Sequence, residues 1–155
     1  MNKLQKMLKG LNACSDAIGW AAKFETLDEA WAMCERGDWM LWLWGKHAGE
    51  PMSDARRPLV GACCRIARIS IEIFEKKCPN DRRPREAIEL AERFANGQPV
   101  TREEMRRADA AADAAAYVAA DYAAARKSTL AKCAQIVREC MPTPVFVPAF
   151  AGGAA

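Results

Sequence analysis

Histidine is almost missing from this chain. His47 is the single one in 155 residues, so a multi-histidine metal site cannot be built. β-Branched residues are scarce too: seven isoleucines, six valines and four threonines are too few for a sheet of ordinary size. No apolar run approaches the roughly 18 residues that a membrane-spanning helix needs. The opening stretch MNKLQKMLKGLNA is amphipathic but never reaches the sustained apolar core of a signal peptide. The seven cysteines include no CxxC pair and are odd in number, which argues against a zinc site and for reduced thiols acting as small buried hydrophobes. GxGxxG, Walker, HExxH and GxSxG sequences are absent, and no acid pairs with an evident base, so catalysis has no support. The formal charge is only +3, far from the strong basic bias of a dedicated nucleic-acid binder.

Alanine, by contrast, is abundant: 31 residues, or 20% of the chain. It has the best intrinsic helix propensity, and 39 Leu, Ile, Val, Met, Phe and Trp residues suffice for one core. The expectation is an all-α, single-domain helical bundle of about five to seven helices over residues 1–141. An extended, proline-rich tail follows over 142–155. A reduced, cytoplasmic protein without membrane segments or cofactors is the matching expectation.

Punctuation divides the bundle. Leu4, Met7, Leu8 and Leu11 recur at helical spacing. Ile18, Trp20, Ala21 and Ala22 suggest a second helix. Thr26 and Glu29 form a capping box opening a helix over Leu27–Glu35, stopped near Gly37. Asp38 is the expected N-cap of Trp39–Lys46. Pro58 suits the first turn of a helix reaching about Lys76, with Ile66, Ile69 and Ile73 inside and Arg65, Arg68, Glu72 and Glu75 solvated. Pro84 starts another, with Ile88, Ala91 and Phe94 inside, Glu89 paired to Arg93 and Gly97 as the left-handed cap. A second capping box, Thr101–Glu104, opens the last helix, running to about Cys140 with Ser128–Thr129 as a place to bend.

Six consecutive apolar residues, 39–44, include three tryptophans. A helix apolar all round is buried all round, so a central core helix is expected, with a tryptophan-lined ligand pocket as the alternative. His47, beside Lys46, reads as a surface residue at a helix end. Eleven of the 13 bases in residues 51–107 are arginines. They could touch phosphates, but the interspersed acids dilute the field, which makes direct nucleic-acid binding a minor reading.

Several stretches carry a resemblance: Ala13-Cys14, Trp20-Ala21, Thr26-Leu27-Asp28-Glu29-Ala30-Trp31, Cys34, and Asp38-Trp39-Met40-Leu41-Trp42-Leu43. Arg83-Pro84-Arg85-Glu86-Ala87-Ile88-Glu89 and Ile136-Val137-Arg138 continue it. Together, over about residues 11–140, the chain resembles an all-helical family of immunity proteins of bacterial polymorphic toxin systems, also found in phages. The resemblance implies a non-enzymatic inhibitor that binds and neutralises a protein target, and it transfers no binding residues.

Two further features suit a partner. Twelve alanines occupy residues 108–125, where Asp109, Asp113, Tyr117 and Asp121 advance in steps of four as one stripe. The stripe is either a solvated face or an acidic ridge docking a basic surface. In the tail, Val145, Phe146 and Phe150 are too apolar to stay in water and are expected to dock, on their own domain or on a second copy or partner. A toxin inhibitor is the leading functional expectation, ahead of a phage-encoded anti-defence protein and of a nucleic-acid-binding regulator; a homodimer is compatible with each.

Overall fold

A computed structural model describes residues 1–107 and 126–146. Its regular structure is helical: α1 Lys3–Gly10, α2 Ser15–Trp20, α3 Leu27–Met33, α4 Gly37–His47, α5 Arg57–Lys77 and α6 Arg83–Ala95. Helix α7 is described over 102–107 and α8 spans Arg126–Cys140. No strand occurs among the described residues, as the scarcity of β-branched residues requires.

Local signals account for most of the starts and stops. Asn2 accepts from the Gln5 amide at 2.8 Å while Gln5 returns to the Asn2 N–H, a capping box for α1 that the sequence reading missed. Thr26–Glu29 and Thr101–Glu104 form the boxes expected of them. Proline sits in the first turn of α5 and of α6, where its missing N–H costs nothing, and Gly97 takes φ +78° after α6. Helix α3 ends at Met33, two residues earlier than expected, and Ser128–Thr129 lie within α8.

Five expectations are corrected. Asp38 does not cap α4: the helix begins at Gly37, and the Asp38 carboxylate is held by Arg36 through two bonds of 2.8 and 2.6 Å. Gly37 is not a stop but a point of close approach. A Cβ there would lie 2.6 Å from the Ala134 nitrogen and 2.7 Å from the Cys133 carbonyl carbon, and closer still to the Cys133 Cβ. On α5, Ile69 is 37% exposed and Ile66 half-buried, while Leu59, Ala62, Cys64, Ile71 and Phe74 are buried. The reason is that α5 lies against both α6 and α8, so it buries two adjoining faces rather than one isoleucine stripe. Its charged residues are not simply solvated either. Arg65 reaches Glu139 on α8, Arg68 reaches Glu92 on α6, and Glu75 holds Arg85 on α6. The side chain of Ile73 lies outside the described residues. Arg93 gives its guanidinium to the Pro99 carbonyl, in place of the expected pair with Glu89.

The main core joins Leu4 and Leu8 of α1, Ala30 and Trp31 of α3, Met40 and Leu43 of α4, Leu59 and Ala62 of α5, and Ala134 and Val137 of α8. Each large side chain so buried contributes about 1.5–3 kcal/mol. A smaller cluster, Cys64, Ile71 and Ile88, seals α5 against α6. The cysteines divide: Cys34, Cys64 and Cys133 are buried, Cys14 and Cys63 exposed, and all seven are free thiols.

Candidate binding site

Helix α4 departs most from its expected environment. Met40 and Leu43 are buried, but Trp39, Leu41, Trp42 and Trp44 are only half-buried. The helix is apolar all round, yet its main packing partners are α8 and α5, and its other faces border the cavity. Its tryptophans therefore spend their flat faces on smaller partners. Arg36 stacks on Trp39 with its guanidinium 4.2 Å from the ring centroid, and the Lys46 ammonium lies 5.4 Å from Trp42. Trp20 meets Trp39 edge-on at 6.0 Å and lies at a tilt to Phe24 at 4.7 Å.

Between α1, α2, α3 and α4 these side chains leave a cavity of about 530 Å³. Buried Leu4, Leu8, Trp31, Met40 and Leu43 make its floor. Half-buried Ala13, Trp20, Leu27, Trp39 and Trp42 make its walls, and exposed Asn12, Cys14 and Asp38 its rim beside Arg36. Among the described lining residues the charged ones are Arg36 and Asp38, which are bonded to each other. The Arg36 guanidinium holds the Asp38 carboxyl below its usual range. Burial pushes the Cys34 thiol up, and its Sγ donates to the Arg36 carbonyl at 3.6 Å. The result is a concave apolar surface with a charge-neutral edge.

The opposite end of α4 holds the tail. Trp44 Nε1 donates to the Pro142 carbonyl at 2.8 Å, and His47 stands edge-on between Trp44 at 5.1 Å and Phe146 at 5.6 Å. Phe146 packs against the main core, whereas neighbouring Val145 is 71% exposed. Phe150, and the stripe Asp109, Asp113, Tyr117 and Asp121, lie outside the described residues.

The arginine-rich middle is largely engaged internally. Arg57, Arg65, Arg68, Arg83, Arg85, Arg106 and Arg107 each hold a carboxylate, and Arg56 donates to the Gly49 carbonyl. Such pairs leave little free positive charge for a phosphate backbone. Among the described residues no group of three His, Cys, Asp or Glu side chains could hold a metal ion, and no helix is long and apolar enough to cross a membrane.

A part-buried polar contact ties the cavity to the rest of the bundle. Arg138 Nη1 on α8 donates to the Cys34 carbonyl at 2.7 Å and the Trp31 carbonyl at 3.4 Å, satisfying acceptors left open at the end of α3. Arg138 is also where a sequence likeness ends: the family model described as "Imm-5 like putative immunity protein" matches residues 52–138. The chain belongs to this Imm-5-like family. No curated protein and no solved structure matches the chain. The Imm-5-like match takes in α5, α6, α7 and most of α8. It leaves out α1–α4, the cavity and the stretch Ala13–Leu43 that carries much of the resemblance described above. The cavity residues Arg36, Trp20 and Asn12 were not legible as a group, because no spacing rule connects α2 with the loops that follow α1 and α3. The tryptophan density around α4 was the available signal.

Proposed function

We propose that the protein is a non-enzymatic inhibitor that binds and neutralises a protein toxin or effector, as an immunity protein does. Membership of the Imm-5-like family carries the reading. The partner-facing residues we assign are Asp109, Asp113, Tyr117 and Asp121, an acidic stripe with one aromatic, complementary to a target with a basic surface. We treat residues 1–141 as one helical domain in the cytoplasm and 142–155 as an arm, with Val145, Phe146 and Phe150 as its docking residues. The Trp44–Pro142 bond and the His47–Phe146 contact support docking on the parent domain, with a homodimer as the alternative use of the same arm.

Capture of the target with the tagged full chain, followed by growth rescue on co-expression of that target, tests the inhibitor reading. Rescue without chemical change of the target is the expected result, and failure to rescue overturns it. Replacing Asp109, Asp113 and Asp121 by Asn slows association and flattens its salt dependence if the stripe is the docking face. An unchanged on-rate and salt slope removes the stripe and leaves the inhibitor intact. A captured nuclease-type defence complex in place of a toxin turns the same physics into a phage anti-defence role. The paired arginines count against the third reading, a nucleic-acid-binding regulator.

A further inference from the structure

Several contacts outside the lining fix the segments around the cavity. Asn2 Nδ2 donates to the Phe24 carbonyl at 2.9 Å and Gln5 Nε2 to the Ile18 carbonyl at 3.1 Å, fixing α1 against the segment that follows it. Asn12, at φ +63°, turns the chain out of α1, and the Ala13 N–H returns to the Leu8 carbonyl at 2.9 Å, which places Ala13 and Cys14 on the rim. Arg138 anchors the end of α3 from behind, and the contact of Gly37 with Cys133–Ala134 anchors the start of α4. These contacts fix the ends of the segments that carry the lining residues. A volume near 530 Å³ falls inside the range of about 300–1,000 Å³ typical of small-molecule sites.

The occupant's charge follows from the rim. Arg36 is spent twice, on both oxygens of Asp38 and on the face of Trp39. A cationic or anionic guest would have to break that pair or enter an apolar cavity without a counter-ion. Three indoles, Trp20, Trp39 and Trp42, line the cavity, and aromatic rings favour an aromatic guest in stacked or edge-to-face contact. We propose that this cavity is a preformed binding site for a small, neutral, planar aromatic molecule. The proposal does not rest on the inhibitor reading, since the residues that carry the pocket precede the family-matched stretch, and a failure of either leaves the other standing.

Titration of the full-length protein with indole, tryptamine and indole-3-acetate, followed by the tryptophan side-chain N–H resonances and by calorimetry, tests it. Indole should shift the signals of Trp20, Trp39 and Trp42 and leave Trp44, at the far end of α4, unmoved. Both charged analogues should bind about tenfold more weakly or worse. Bound indole should also slow alkylation of rim Cys14 by iodoacetamide. Arg36→Ala leaves Asp38 without its partner, so preference should move to tryptamine by about tenfold. Ala13→Trp should fill the cavity and abolish indole binding; wild-type resonance mapping decides the matter if that variant does not fold. Saturable binding that moves Trp44 alone, equal affinity for all three compounds, or no binding at millimolar indole overturns the proposal.

Discussion

The family-matched stretch, residues 52–138, and the 51 residues before it are stabilised in different ways. In the first, long helices lie side by side. Helices α5 and α6 share a small apolar seam flanked by bidentate pairs, Arg68–Glu92 and Arg85–Glu75. In the second, four helices of eight, six, seven and eleven residues are too short to persist by propensity alone. They are held by the core and by single clamps to backbone atoms, several of which come from far along the chain. A region of long helices can spread its stability over many weak surface pairs, whereas a region of short helices concentrates it in a few contacts. The difference leaves room for a cavity in the short-helix region.

Gly37→Ala should break the comparison most severely. The added methyl meets main-chain atoms of α8 that cannot swing aside, so α4 must back away from α8 at a cost of about 3 kcal/mol. Urea denaturation reads it, and a loss under about 0.5 kcal/mol, the ordinary scatter of surface changes, would show that α4 and α8 are not so closely apposed.

Arg138→Ala should cost about 2 kcal/mol, because it removes a charged donor and leaves the Cys34 and Trp31 carbonyls short of a partner. Hydrogen exchange sharpens the contrast: protection should fall across α3 and the start of α4 more than across α6. Uniform loss over the chain would mean that Arg138 serves the whole bundle and not the short-helix region.

The smallest effect belongs to the matched stretch. A double-mutant cycle on Arg68→Gln and Glu92→Gln should return a coupling of about 0.5 kcal/mol, since both side chains are about one-third exposed. The pair also carries a pH signature. Arg68 holds the Glu92 carboxyl below its usual value of 4.5, and Arg85 does the same for Glu75. A carboxylate depressed on folding contributes stability above its unfolded value and loses it as pH falls through the folded one. Acid titration of stability below pH 4.5 should therefore be shallower in the double variant than in the wild type. Superimposable acid limbs would show that Glu92 does not sense the fold.

How much of this was legible beforehand depended on the range of the interaction. Capping boxes, helix-starting prolines and the glycine after α6 act within four residues, and they appear where the sequence places them. Asp38 and Gly37 misled for the same reason: a local rule assigned each a cap or a stop. Their roles are instead the Arg36 pair and a contact with a helix about 96 residues later. The tryptophans advertised a core, and whether a residue lies in a core depends on which neighbours arrive.

Sequence alone determined that this protein is helical, because alanine favours the helix and too few β-branched residues remain to build a sheet. It also determined where most helices begin, since caps and prolines act on adjacent backbone groups. Only the tertiary structure decided that α4 would bury one side, that the arginines of α5 would close on carboxylates of α6 and α8, and that a cavity would stand between α1 and α4. Those outcomes depend on the positions of side chains distant in sequence, which no local propensity encodes.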